Sequence, residues 1–264
     1  MEVHTHTHTV PIAIGRKKWT HYLWEFLMLF LAVFCGFLAE NKRENIVEEH
    51  RAKEYARSLL EDLKEDTTEI NGGIRQLSFL LSVFDSCIQT GLKHIDKPTV
   101  PGSFYYYSRL AITAYSIDWS ESTLTQLLQS GNLRYFKNKD LVKKINRYYA
   151  LHGLLRSNNE TDHQQRMRIQ ETKNRLLLPT YYEAFAPLEI SNEMKKHQPD
   201  ESIARLMTQQ LPLIRGSAGI MEEYLNQLMD RRARNIRYVH EQYPNALKTA
   251  QEIIQLLIEE YHLK

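Results

Sequence analysis

The chain has 264 residues, of which 42% are hydrophobic and 25% charged, and its formal net charge is +2 at pH 7. A dedicated nucleic-acid binder usually carries a strongly basic face, so the balanced charge argues against a nucleic-acid partner. Ten glycines and eight prolines are few for a turn-rich β architecture, and the composition favours an all-α protein. Cys35 and Cys87 lie in segments of contrasting polarity, which argues against a disulfide between them.

Residues 1–18 predict a flexible N-terminal tail. His4, His6 and His8 alternate with threonine, and neutral imidazoles are good ligands for zinc, nickel or copper. A polar tail whose histidines bind nothing is the simpler interpretation. Both readings stay open from the sequence alone.

Residues 19–39 predict a transmembrane helix. From Tyr22 to Ala39 every residue except Glu25 is apolar, aromatic or small, and such a helix spans roughly 27 Å, close to the ~30 Å hydrocarbon core of a bilayer. Glu25 lies about one turn inside, where it can reach the headgroups, although an ionisable residue in a span is also a functional candidate. A signal peptide or a buried core helix is less consistent with a run that is apolar on all sides and lacks a clear cleavage site.

Two features bear on how the span sits in the membrane. Ala32 and Gly36 form a small-xxx-small pair that could let two spans approach closely, although such pairs are common by chance. The basic residues at 16–18 favour a cytoplasmic N-terminus and a periplasmic C-terminal domain.

Residues 40–70 predict a charged helical stalk that continues the span. Apolar side chains recur from Ala52 to Leu63 with the three-and-four spacing of one helix face. The run is short for a coiled coil, so we expect this face to pack within the same chain rather than on a second copy. Asn71-Gly72-Gly73 predicts the end of the helix.

Residues 71–264 predict a soluble helical bundle, with an alternative division into two parts at the proline-bounded linker 187–199. Helices are predicted at 74–92, 104–117, 122–130, 139 to about 178, 201–240 with a break near 212–219, and 244–262.

Three residues are predicted to cap these helices. Asp118, with Glu121 three residues later, has the spacing of a capping box. Gly131 is suited to a helix C-terminus, and Asn138 is suited to the N-cap of the helix that follows.

Two Glu-x-x-His pairs, Glu160–His163 and Glu259–His262, are the main candidates for chemistry. Residues three apart share a helix face, and di-iron carboxylate bundles bind metal through such pairs. Both segments carry the composition of a solvated surface, however, and the second lies at a fraying end. We therefore expect no cofactor and assign no catalytic residue. The sequence also lacks a phosphate-binding loop, a GxSxG elbow and an HExxH motif.

Two further groups could form binding surfaces. Tyr105, Tyr106, Tyr107 and Trp119 could line a ligand pocket inside the bundle. The arginines between 231 and 237 are the densest basic cluster, for which internal ion pairing is the preferred interpretation over an anionic partner.

Two stretches carry a family resemblance. The first is KKWTHYLWEFLMLFLAVFCGFLAENKRE (17–44) with SLLEDLKEDT (58–67), and the second is STLTQLLQSGNLRYFKNKDLVKKINRYY (122–149). In these segments the chain resembles a family of membrane-anchored bacterial proteins of unknown function, found mainly in the Bacteroidetes. The resemblance covers roughly the first 150 residues and implies a single-pass inner-membrane protein, but it implies no activity.

The leading functional hypothesis is a non-enzymatic, membrane-tethered helical module that binds or scaffolds other proteins. Its expected partners are the lipid bilayer and either a second copy or another envelope protein. The alternatives are a metal-dependent protein that uses the Glu-x-x-His pairs and a membrane-anchored sensor of a small ligand.

Overall fold

The computed structural model describes residues 19–115, 117–196, 198–216 and 218–263. The histidines of the predicted tail, His4, His6 and His8, lie outside the described residues. The chain divides into two compact units, Met1–Arg51 and Ala52–Lys264. Helices account for most of the described residues, which confirms the all-α class.

The helices and strands follow one another along the chain in this order: α1 (Trp19–Leu92), β1 (Thr99–Pro101), α2 (Gly102–Leu110), α3 (Ser122–Gln129), a 3₁₀ turn (Asn132–Tyr135), α4 (Lys139–Leu176), α5 (Pro179–Tyr182), a 3₁₀ turn (Glu183–Phe185), α6 (Ile190–Glu193), α7 (Glu201–Thr208), β2 (Gln210–Pro212), α8 (Ala218–Arg237), a π turn (Tyr238–Gln242) and α9 (Tyr243–Tyr261).

In the first unit, the described residues belong to the N-terminal part of α1. Its most apolar 18-residue window has a mean hydropathy of 2.0, and none of that window is buried. Among the described residues, α1 is the one helix long and apolar enough to cross a membrane. The shallow Glu25 lies 3.0 Å from His21 Nε2, and a side chain added at Gly36 would meet nothing within 4 Å.

The predicted helix end at Asn71-Gly72-Gly73 is wrong, because α1 runs through it to Leu92. Glycine serves here for close packing: a Cβ at Gly73 would lie 2.6 Å from Tyr115 Cε1 and 3.2 Å from Tyr243 Cε2. Asn71 stays helical and donates from its side chain to the carbonyl of Thr67. Two ring edges therefore occupy the space that a side chain at Gly73 would need.

Much of the predicted stalk belongs to the core of the second unit. That unit begins at Ala52 rather than at residue 71. Ala56, Leu59 and Leu63 are buried against α3, α4 and α9, which confirms that this face packs within the chain. The continuation of α1 past residue 71 supplies a larger apolar cluster around Phe84.

The segment 187–199 does not divide the bundle, since Ala52–Lys264 forms one compact unit. Leu188 and Ile190 are buried in the same cluster as Phe185. Apolar side chains thus hold this proline-bounded linker against the helices.

A two-stranded ribbon interrupts the otherwise helical chain. In it, β1 and β2 pair antiparallel, with Val100 opposite Leu211. The sequence predicted a loop at β1 and a helix break near β2, and it gave no sign that the two would pair. Gly102 follows β1 directly, and its N–H donates to the carbonyl of Gln209 at 2.8 Å.

Helix ends follow the cap predictions in part. The Asn138 side chain accepts from Asp140 N and Leu141 N at 2.9 and 3.1 Å, and Gly131 adopts a left-handed φ of 69°, so both predictions are confirmed. The helix predicted at 104–117 ends at Leu110. Pro244 lacks an N–H, which fits the wide π turn immediately before α9.

Gly102 provides a test of the ribbon. A Cβ there would lie 2.0 Å from the backbone oxygen of Leu206, and backbone yields less easily than a side chain. We expect Gly102→Ala to lower the free energy of unfolding by about 1–3 kcal/mol, measured by denaturant titration of the full chain in detergent. Gly153→Ala is the matched control: its Cβ would meet nothing within 4 Å, and alanine should raise helix stability by roughly 0.5–1 kcal/mol. Equal effects of the two substitutions would contradict this account.

Candidate functional site

Four carboxylates on one face of α1 hold Tyr115 and residues 117–123, which comprise an irregular stretch and the first two residues of α3. We call these described residues the segment 115–123. Asp62, Glu65, Asp66 and Glu69 are spaced three or four residues apart, so they project from the same side of the helix. Each accepts a hydrogen bond from that segment. We call these four residues the carboxylate face.

Asp66 is the buried member of the carboxylate face. Its Oδ1 accepts from Ser120 N at 2.9 Å, and its Oδ2 accepts from Tyr148 OH at 2.7 Å. Burial raises the pKa of the Asp66 carboxyl, and the two hydrogen bonds oppose that rise. One side chain thus ties α1 both to the segment 115–123 and to α4.

Asp62 caps α3 from a neighbouring helix. Its Oδ2 accepts from Thr123 N at 3.2 Å, one of the N–H groups that an α-helix leaves unpaired at its start. The predicted cap at Asp118 is wrong: the residue before α3 is Glu121, which makes no side-chain cap hydrogen bond. A carboxylate distant in sequence provides the negative charge that a helix N-terminus favours.

Glu65 and Glu69 hold the rest of the segment at its surface. Glu65 Oε2 accepts from Ser120 Oγ at 2.9 Å. The Glu69 backbone oxygen accepts from Tyr115 OH at 2.8 Å, with the Glu69 carboxylate 3.3 Å away. Burial, followed by the charge of Glu69, raises the pKa of Tyr115 to about 12.

Trp119 lies between these contacts and α4. Its ring meets the His152 ring edge-on, with centroids 4.6 Å apart, and it packs against both apolar clusters. Burial lowers the pKa of His152, although Glu121 opposes the shift from 3.3 Å. Among the described residues, neither the buried indole Nε1 nor the buried imidazole Nε2 has a partner in hydrogen-bond geometry, and the imidazole Nε2 contacts the Glu121 carboxylate only as an ion pair.

A surface groove of about 510 Å³ opens beside Trp119. It is lined by α1 and by the segment that the carboxylate face holds: Lys64, Glu65, Thr68, Glu69, Asp118, Trp119 and Ser120. Three carboxylates against one ammonium make the groove acidic, and the indole adds a ring that attracts cations. The groove is therefore suited to a basic group that carries some apolar surface.

The aromatic residues predicted to line one pocket have separate roles. Among them only Trp119 lines the groove. Tyr105 OH donates to the carbonyl of Pro212 and accepts from Leu178 N, while Tyr106 OH donates to Glu193 at 2.8 Å. These two buried hydroxyls connect α2 to distant parts of the chain.

The Glu-x-x-His pairs lie on the surface. Glu160, His163, Glu259 and His262 are all exposed, and Glu160, His163 and Glu259 contact neighbours on their own helices. Within the described ranges, no group of three or more His, Cys, Asp or Glu side chains is placed to hold a metal ion. The positions of these described residues therefore give no geometric support to a metal site built from the Glu-x-x-His pairs.

Lys173 is a buried amine that sequence reasoning missed. Its Nζ lies 3.9 Å from the centroid of the Tyr182 ring, and its burial, together with the nearby Arg109 charge, lowers its pKa to about 8. The residue belongs to the charge-rich stretch 156–175, whose composition predicts a solvated helix or a helix–loop–helix. Ile169 and Leu176, which are apolar, seven residues apart and buried on the same face as Lys173, are the sequence signal that this face points inward.

Two members of the arginine cluster form ion pairs within the chain. Arg231 is buried and contacts Asp162 through Nε and Nη2 at 3.1 and 3.2 Å, as well as the carbonyls of Ala111 and Thr113. Arg232 pairs with Asp85 at 2.5 Å. Internal pairing is thereby confirmed for these two residues.

Comparison of the chain with protein-family models, curated proteins and solved structures finds no match. The family resemblance and the absence of enzymatic activity therefore remain predictions.

Asp66 provides a test of the carboxylate face. We expect Asp66→Ala to lower the free energy of unfolding by about 3 kcal/mol, because Ser120 N–H and Tyr148 OH lose a buried acceptor. Asp66→Asn retains one carbonyl oxygen and should cost about 1 kcal/mol. Denaturant titration measures both, with Glu222→Gln, an exposed carboxylate on α8, as the control.

The same variants carry a pH signature. A folded pKa raised above 3.8 means that the native state binds more protons than the unfolded state between 3.8 and the raised value. The Asp66 contribution to stability therefore falls as pH rises through that window. Asp66→Asn should lack this dependence of stability on pH. A stability difference between wild type and Asp66→Asn that stays constant across this pH window would contradict the raised pKa of Asp66.

Proposed function

We propose that this protein is a membrane-anchored, non-enzymatic helical module whose groove binds a basic segment of a partner protein. The observation that carries the proposal is the acidic groove beside Trp119. The candidate span at the N-terminus supplies the anchor, and the described helical unit beyond it supplies the binding surface.

The anchor is supported by a window of α1 that is apolar and has no buried residue. In a water-soluble protein an apolar surface of this extent would be a liability for aggregation, whereas lipid removes that cost. The resemblance to inner-membrane proteins and the basic residues at 16–18 favour a periplasmic position for the C-terminal unit.

The groove is supported by charge complementarity and by rigidity. Glu65, Glu69 and Asp118 leave an excess of two negative charges over Lys64, and a lysine or arginine beside an indole gains cation–π attraction. The hydrogen bonds of Glu65 and Glu69 to the segment 115–123 fix the groove before a partner arrives. A site that is already ordered loses less entropy on binding.

Side chains at the groove act on the chain's own backbone and hydroxyl groups. The carboxylate face accepts hydrogen bonds from Ser120, Thr123 and Tyr115, and His152, with its lowered pKa, packs edge-on against the Trp119 ring. These arrangements hold a surface in place, which supports binding rather than turnover.

Membrane extraction tests the anchor. We expect the full chain to remain in the membrane fraction after alkaline carbonate washing. Leu31→Arg combined with Phe34→Arg should release it, because each arginine near the centre of a span costs about 3 kcal/mol. Ile46→Arg, also on an exposed apolar residue of α1 but outside the span, is the control and should stay bound. Recovery of the wild-type chain in the soluble fraction without detergent would refute the anchor.

Peptide titration tests the groove. Fluorescence anisotropy of a labelled tetra-arginine peptide, titrated with the full chain in detergent, should show saturable binding. Glu65→Gln with Glu69→Gln removes two charges but retains their hydrogen-bond acceptors, and should weaken binding by about tenfold. The control is Glu171→Gln with Glu222→Gln, two exposed carboxylates outside the groove. Equal weakening by both double variants would mean that the peptide responds to net charge alone.

A further inference from the structure

A second cavity, of about 280 Å³, lies where α4 meets the end of α8. Six polar or aromatic residues from three elements line it: Asn158 and Thr161 of α4, Arg234 and Arg237 of α8, and Tyr238 and Gln242 of the π turn. None of them lines the groove beside Trp119.

Neither arginine of this cavity forms an ion pair within the described part of the chain. Asp162, a half-buried acid of α4, is already bound by Arg231, and its Oδ2 lies 3.3 Å from Arg166 Nε. Among the described residues, neither Arg234 nor Arg237 is within 4.0 Å of an acidic oxygen, in contrast to Arg231. Arg234 contacts Tyr238, a neutral phenol, so two guanidinium charges remain beside a cavity whose other lining groups are neutral.

The local backbone fixes both arginines on the same wall. Arg234 and Arg237 are three residues apart, so they share a face of α8. The π turn that follows begins at Tyr238, which is buried and stacks on Tyr243 with ring centroids 5.9 Å apart. Turns of this type occur frequently at functional sites.

Neutral donors complete the lining. Asn158 Nδ2 donates to Gln242 Oε1 at 3.1 Å, which joins α4 to the π turn and leaves the Gln242 amide nitrogen as a further donor. Thr161 contributes a hydroxyl that can donate or accept. The cavity thus combines two guanidinium forks with neutral hydrogen-bond donors.

We propose that this cavity binds a phosphoryl group. Guanidinium presents paired N–H donors whose geometry matches two phosphate oxygens, and the cavity has room for the phosphoryl group with a small substituent. The phosphoryl group comes either from a soluble phosphate ester or from a lipid headgroup. This inference goes beyond the proposed function and does not depend on the groove.

Isothermal titration calorimetry with inorganic phosphate tests the site. The full chain is held in nanodiscs of phosphatidylcholine, and one phosphate should bind per chain. Arg234→Gln and Arg237→Gln should each weaken binding by about tenfold, the loss of one charge-assisted pair. Arg205→Gln is the matched control, since Arg205 is an exposed arginine of α7 remote in sequence from the cavity, and it should bind as wild type does.

Two further arms make the result decisive. Arg234→Lys keeps the charge but loses the fork, so it should bind more weakly than wild type and more tightly than Arg234→Gln, and the unfolding temperature of each variant confirms that it folds. In nanodiscs that contain phosphatidic acid, a higher apparent Kd for inorganic phosphate identifies a headgroup source, whereas an unchanged Kd identifies a soluble one. Absence of phosphate binding by wild type, or equal binding by the Arg234→Gln/Arg237→Gln double variant, overturns the proposal.

Discussion

The buried carboxylate of Asp66 joins three parts of the chain that are far apart in sequence. It accepts from Ser120 N and from Tyr148 OH, and so holds the segment before α3 and the helix α4 against α1. Since a buried charge is tolerated only when its oxygens are paired, these two donors and the carboxylate require one another. Trp119 is adjacent to Ser120 and packs on both apolar clusters. The bond from Ser120 to Asp66 therefore also positions the ring that contacts both clusters.

The helices were predictable where burial and capping are local in sequence. Asn138 directly precedes α4 and caps it. The apolar spacing from Ala52 to Leu63 indicated the buried face of α1 directly. Prediction failed where the deciding contact is distant. Gly73 resembles a helix terminator until the rings of Tyr115 and Tyr243 are placed beside it. Similarly, a cap at Asp118 has the right spacing, but Asp62 supplies the cap from another helix.

The candidate site was less predictable than the fold for the same reason. Lys64 and Trp119 line the same groove because the carboxylate face holds the segment 115–123 against α1. The spacing of Glu160 and His163 correctly indicated that the two residues share a helix face. Spacing alone does not show whether that face is buried or solvated. Conversely, Lys173 and Arg231 belong to charge-rich stretches, in which the identity of a cation does not show whether it is buried, and the apolar spacing of Ile169 and Leu176 is the local sign for Lys173.

The carboxylate face links the stability of the fold to the chemistry of the groove. Glu65 and Glu69 both hold the segment 115–123 and give the groove its charge, so replacement by alanine would alter shape and charge together. Glutamine separates the two effects, because it keeps the acceptor oxygen and removes the charge. The arginine cavity has the opposite construction: Arg231 binds Asp162, and among the described residues Arg234 and Arg237 form no ion pair, although Arg234 contacts Tyr238. The helical unit thus combines an acidic groove, whose carboxylates also bind the chain's own polar groups, with a basic cavity whose two arginines form no ion pair within the described residues.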